Sequence, residues 1–294
     1  MKSTTTFLLV FLSFVLNAQN VFIYDKESNI PVSFATISYV KESAIIDSFY
    51  CDKNGFCNLK NNNLFDKIEF SCIGYEKKII YTVNNDTVFL TKKVIVLNDV
   101  IVSSNKNVFS LRGYTKYKKK ITLSAYKGFE ICTFVDNSSN TEKRIKSFLF
   151  KTRTQYGYQT AIRVHFYNKE LNKISPGNEN LNEDIIFIID GKTKKTIEVD
   201  VSKYNLELPI EGAFVGIEWL GVVDDITGSF VDSNVKNWKS TSIEFNDSIN
   251  EPVTFFRNKL NNNWENTEKM KTEFIKIIKY KNYPNASFGI KVYE

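Results

Sequence analysis

The chain holds one histidine in 294 residues, and that scarcity constrains its chemistry more than any motif does. A Ser-His-Asp site would need His165 as its base, and a catalytic zinc site of the common kind needs two histidines and a carboxylate. His165 lies in AIRVHFYN, where strand alternation puts it on the face of Arg163 and Tyr167, away from Ile162 and Val164. The reading is a partly exposed strand residue rather than a ligand or a general base. The chain contains no GxSxG elbow, GxGxxG turn or Walker loop, which argues against hydrolase, dinucleotide and nucleotide chemistry. No catalytic residue, metal ligand or cofactor is assigned.

A pair of acids facing each other across a cleft could cleave a glycoside without any motif. The nearest candidates, Asp224 and Asp225 in VVDDITG, are adjacent. On a strand they would point to opposite faces, and in a loop they would meet water. No DxDxDG spacing supports calcium there. For a ligand to stack upon, Trp238 (KNWKS) and Trp264 (NNNWENTE) are flanked by polar residues, whereas Trp219 inside GIEWLG reads as core. Each loop tryptophan has a second reading, as an anchor pinning its loop to a sheet edge. Ligand-binding residues therefore stay unassigned.

Cys51, Cys57, Cys72 and Cys132 form no close CxxC pair, which argues against a zinc site. Cys51 and Cys57 flank the turn DKNGF and could pair in an oxidising compartment if they face each other across a hairpin. Free cysteine also packs as a small core residue.

The elements that would position these residues are strands. Short runs rich in Val, Ile, Phe, Tyr and Thr recur between Asn, Asp, Gly and Lys clusters, and no window sustains a helical period. The first group runs from VFIYD (Val21 to Asp25) through VSFATISYV (Val32 to Val40), AIIDSFYC, FCNL, KIEFSC, EKKIIYTV and TVFL to NDVIVSS (Asn98 to Ser104). Residues 105–120 are polar and basic and read as a linker. The second group starts at Ile121 and ends with FIKIIKYK and FGIKVYE. DIIFIID and VGIEWL, apolar throughout, read as central strands, TIEVDV as one with a wet face, and SPGNENLNED and NNNW as loops. The expected fold is all-β, a small sandwich over 19–104 and a larger jelly-roll-like sandwich over 121–294.

Residues 1–18 read as a signal peptide: Lys2, then the apolar block FLLVFLSFVL, then Ala18 at the expected cut. The block is shorter than the about 20 residues a membrane span needs, and no later segment is long and apolar enough to span. The expected location is therefore the periplasm, the outer envelope or the medium. The formal charge of +6, from 39 basic and 33 acidic residues, is dispersed, and YTKYKKK (Tyr114 to Lys120) reads as solvated linker rather than a nucleic-acid site.

Four motifs in order, PVSFATISY (Pro31 to Tyr39), DKNGF, CIGYEKK (Cys72 to Lys78) and LNDVIV (Leu97 to Val102), make residues 20–103 resemble the carboxypeptidase regulatory-like domain. That resemblance implies a transthyretin-like sandwich of about seven strands of the sort carried by envelope proteins of Gram-negative bacteria. Cys57 stands where that family usually has an aromatic core residue. The stretches AIRVHFYN, SPGNENLNED, VDVSKYN and LPIEGAFVGIEWLG resemble a companion sandwich that follows this domain in other exported proteins, and they bring no reaction with them. The expected function is that of a non-enzymatic envelope accessory or binding protein whose second sandwich takes a glycan or a protein partner. The alternatives are a carbohydrate-active enzyme using carboxylates alone and a structural or assembly partner of an envelope complex, joined through an open strand edge.

Overall fold

The computed structural model describes residues 19–59, 65–82, 85–93, 108–113, 121–153, 158–190, 196–224, 226–231, 241–258, 261–269 and 282–294. The chain divides into two units, Met1–Lys92 and Lys93–Glu294, each built almost wholly of strands. The expected signal peptide and the run Asn98 to Ser104 lie outside the described residues. Among the described residues, no helix is long and apolar enough to cross a membrane.

In the first unit the strands are β1 (Gln19–Asp25), β2 (Thr36–Lys41), β3 (Ala44–Tyr50), β4 (Phe56–Leu59), β5 (Lys67–Ser71), β6 (Lys78–Ile80) and β7 (Thr87–Leu90). They form a three-stranded sheet, β4-β1-β7, and a four-stranded sheet, β3-β2-β5-β6. Alternation sends Val21, Ile23, Ile37, Tyr39, Ile68 and Phe70 into one core. Each such side chain taken fully out of water contributes about 1.5–3 kcal/mol. The outward face of the four-stranded sheet is mixed: Ser38 meets Ser48 at 3.2 Å, Glu69 pairs with Lys67 and Lys77, and Tyr50 and Ile79 share that face.

The DKNG turn forms as its residues require. Asp52 Oδ1 accepts the Asn54 and Phe56 amides at 2.8 and 2.9 Å. Gly55 sits at φ 73°, and a Cβ there would lie 2.5 Å from the Ile23 carbonyl oxygen, so no other residue fits. None of the four cysteines is in a disulfide. Cys51 is not bonded to Cys57: its Sγ accepts the Ala35 amide at 3.0 Å and its thiol donates to the Val32 carbonyl. Cys57 packs in the core, where burial pushes its thiol pKa up to about 12.

In the second unit the strands are β8 (Phe109–Gly113), β9 (Ile121–Ser124), β10 (Phe129–Val135), β11 (Lys143–Arg153), β12 (Gln159–Lys169), β13 (Pro176–Glu179), β14 (Ile185–Ile189), β15 (Thr196–Asp200), β16 (Glu207–Leu208), β17 (Ala213–Val223), β18 (Ser242–Asn246), β19 (Thr254–Asn258), β20 (Asn261–Asn266), β21 (Asn285–Ala286) and β22 (Phe288–Tyr293). One sheet runs β13-β12-β17-β10-β19-β20 with β14 also on β12, and the other runs β21-β18-β11-β22-β8 with β15, β16 and β9 attached. Phe148 of β11 meets Phe166 of β12 at 6.3 Å and Phe288 of β22 at 5.3 Å, so the core lies between the sheets. Trp219 is core as expected, its indole donating to the Thr241 carbonyl at 3.1 Å.

Several expected boundaries move. Part of the stretch read as linker is β8, an edge strand whose alternating residues pair with β22. SPGNENLNED contains β13, and NNNW is part of β20. Both are edge strands, which need backbone pairing to a neighbour but no apolar run. DIIFIID is not central, because β14 pairs with β12 alone, whereas β17 lies between β12 and β10 as expected. β15 alternates between exposed and buried, giving the wet face predicted for TIEVDV. FIKIIKYK lies outside the described residues.

Candidate functional site

On the face of the seven-stranded sheet that points away from the core, the register brings four charged residues into one row. Arg163 on β12 is opposite Glu218 on β17, Glu218 is opposite Glu130 on β10, and Glu130 is opposite Arg257 on β19. The next row holds His165, Gly216, Cys132 and Phe255, and the one after it Tyr167, Phe214 and Phe134. A Cβ on Gly216 would lie 2.4 Å from the Ile131 carbonyl oxygen and 2.6 Å from Cys132 Cβ. The glycine thus lets β10 and β17 close up beneath the polar side chains.

These groups form one continuous network. Arg163 donates through Nη1 to Glu218 Oε2 at 2.8 Å and pairs through Nε with Asp184, just before β14, at 2.9 Å. His165 lies 3.3 Å through Nε2 from the same Glu218 oxygen and 2.5 Å through Nδ1 from Glu179 Oε2, supplied by β13. The other Glu179 oxygen accepts the Phe166 amide at 3.0 Å. The Tyr167 hydroxyl donates to Glu130 Oε1 and accepts from Arg257 Nη2 at 3.1 Å, while Arg257 Nε donates to Glu130 Oε2 at 2.8 Å. The imidazole and phenol rings stack at 5.4 Å. Arg163, Glu218, Glu130, His165 and Tyr167 are all buried.

Burial alone would lower the His165 pKa, but the Glu130 and Glu179 carboxylates more than reverse this and push it up to about 10. Its ring therefore carries two N–H donors at neutral pH and is no proton acceptor. Burial also raises the Tyr167 phenol and the Cys132 thiol well above their usual ranges, so neither ionises to a nucleophile. On the Arg257 side the polar row gives way to an apolar cluster of Cys132, Phe134, Tyr167, Phe214, Val253 and Phe255, against which Trp264 of β20 packs partly exposed. The Arg257 guanidinium lies 4.2 Å over the Trp264 ring, and Tyr167 meets that ring edge-on at 5.5 Å.

The structure corrects the reading of His165 as partly exposed: its residue is 5% exposed, because β13 brings Glu179 across the ring. Asp224 is exposed and holds a turn, its Oδ1 accepting the Ile226 and Thr227 amides at 3.0 and 2.8 Å. Asp225 and Trp238 lie outside the described residues. Trp264 is neither a loop residue nor a free platform. One face is covered by Arg257, Tyr167 meets the ring edge-on, and the residue is half-buried against the apolar cluster. The network itself was missed, although the sequence held a sign of it. Glu218 stands alone in the apolar run VGIEWL, and a lone carboxylate in a central strand demands a cation. Among the described residues, no group of three or more His, Cys, Asp or Glu is placed to hold a metal ion.

No protein-family model and no curated protein matches the chain. Among solved structures it is similar to the cysteine protease and lectin-like domains of Cwp84, a surface layer associated protein of Clostridium difficile. That match has 12% identity and a TM-score of 0.40, over 94% of this chain and 63% of that one. It is also similar to the clostridial cysteine protease Cwp84 after propeptide cleavage, at 12% identity and a TM-score of 0.39, over 94% of this chain and 70% of that one. The functional reading therefore rests on this chain's own geometry.

Proposed function

We propose that the protein is an exported, non-enzymatic accessory protein of the cell envelope whose second unit binds a glycan or protein partner at the surface around Trp264. One observation carries this reading: the acid, base and phenol on the seven-stranded sheet are each committed to a partner within the network, so the network stiffens the sheet and leaves Trp264 as its outlying ring. The resemblance of the first unit to a regulatory-like envelope domain agrees with a docking role for that unit, and the apolar block before Ala18 agrees with export.

The carboxylate-only enzyme has one observation in its favour, the facing pair Glu130 and Glu218. Their burial beneath ion pairs to Arg257 and Arg163 places that reading second. The test is binding of the mature chain to an array of glycans and envelope peptides. The expected outcome is a saturable hit weakened at least tenfold by Trp264→Ala. A hit indifferent to Trp264→Ala would move the site elsewhere, and release of reducing sugar that stops in Glu130→Gln would make the protein an enzyme.

A further inference from the structure

We propose that the outward face of the three-stranded sheet in the first unit is a second binding surface, for an uncharged carbohydrate chain. Its outward strand positions are Asn20, Phe22 and Tyr24 on β1, Phe56 and Asn58 on β4, and Thr87 and Phe89 on β7. The inward positions, Val21, Ile23, Cys57, Leu59, Val88 and Leu90, make the core. The four rings form a continuous row across the sheet: Phe56 to Phe22 at 5.2 Å, Phe22 to Tyr24 at 6.4 Å, and Tyr24 to Phe89 at 6.4 Å. Two rings of this row are open to solvent, Phe22 37% and Phe89 45% exposed, and Tyr24 and Phe56 are half-buried. The other sheet of the same unit turns Ser38, Ser48 and a salt-bridged Glu69 outward beside Tyr50 and Ile79, with no such row of rings.

The chemistry of the face selects its occupant. Charged residues make up 24% of the chain, yet none stands at these seven positions, where rings are flanked by two amides and a hydroxyl. Asp86 Oδ1 accepts the Thr87 hydroxyl at the margin at 3.1 Å, and no basic residue stands at the seven positions to receive an anionic surface. The row suits a ligand whose own faces are C–H and whose edges are hydroxyl: sugar C–H groups lie against the electron-rich ring faces, and Asn20 and Asn58 offer both donors and acceptors at the margin. Size points the same way. Three strands about 4.8 Å apart and about five residues long present on the order of 200 Å². A stable interface between two copies of the chain needs about 800 Å² per partner. A narrow extended chain fits that area, and a second protein surface does not.

Native affinity electrophoresis of the full chain through gels carrying a neutral β-glucan, a neutral mannan or the acidic polygalacturonate tests the proposal. Expected is retardation by at least one neutral polysaccharide, lost tenfold or more in Phe22→Ala and Phe89→Ala and retained in Phe22→Tyr. Unfolding temperatures equal to that of the parent protein exclude a folding defect in the two alanine variants. Retardation by no neutral polysaccharide, or by polygalacturonate alone, overturns it. So does retardation lost in Trp264→Ala and kept in Phe89→Ala, which would leave the second-unit site standing. Concentration-dependent dimerisation abolished by Phe89→Ala would also overturn it, by giving the face to a second copy.

Discussion

Two outward sheet faces in this chain have opposite chemistry and opposite exposure. In the second unit the face formed by β12, β17, β10 and β19 carries two arginines, two glutamates and a histidine, and it is buried. In the first unit the face formed by β4, β1 and β7 carries four aromatic rings with nothing ionised among them, and two of those rings are open to water. Water would normally solvate the charges and the core would take the rings. A covered charged face is stable only when each group neutralises its neighbour, so it resists change and is committed inward. An open aromatic face retains interaction free energy that a ligand could use.

The sharpest way to break this comparison is to remove one charge from the covered face. Glu218→Ala leaves Arg163 and His165 without a shared carboxylate and is expected to cost about 3–5 kcal/mol. Scanning calorimetry of the full chain should show the transition of the second unit falling while that of the first stays put. A loss under about 1 kcal/mol would mean that water reaches the network. Next in size is the pH dependence. The His165 pKa is raised from 6.5 in the unfolded chain to about 10 in the fold, so its contribution is complete below about pH 6.5 and is lost as pH rises through 10. Urea unfolding at pH 7 and 9.5 should show wild type losing its advantage over His165→Gln by about 1 kcal/mol per pH unit. An advantage that stays flat would mean the imidazole is neutral.

Gly216→Ala comes third, at about 1–3 kcal/mol, because the added methyl must push β10 from β17. A neutral result in the same calorimetry would show that the strands can part without disturbing the row. The smallest stability effect belongs to the open face. Phe89→Ala should change unfolding by less than about 0.5 kcal/mol, and a larger loss would mean that the ring is structural.

The all-β class and most strands of both units were legible, because alternating runs such as KIEFS and TIEVD follow the pleat. The edge strands β8, β13 and β20 were not, since they are held by backbone pairing to one neighbour rather than by a side-chain pattern. Missing β13 hid the site, because Glu179 is the group that covers His165. Alternation correctly put Arg163, His165 and Tyr167 on one face. It identifies the residues that share a face but carries no information about what lies over them. β1 shows the converse, because QNVFIYD alternates like any half-buried strand and its outward rings look like ordinary surface residues until β4 and β7 bring two more beside them.

The arginine–glutamate–glutamate–arginine row joins four strands whose contributing residues lie at 130, 163, 218 and 257. A slip of one residue in any of those strands would turn its charge into the apolar layer between the sheets and leave its former partner buried alone. A one-residue slip therefore strands a charge, and the pairs Arg163–Glu218 and Glu130–Arg257 each hold two of the four strands in register. The network thus penalises a one-residue slip of the sheet through the charge that such a slip would strand.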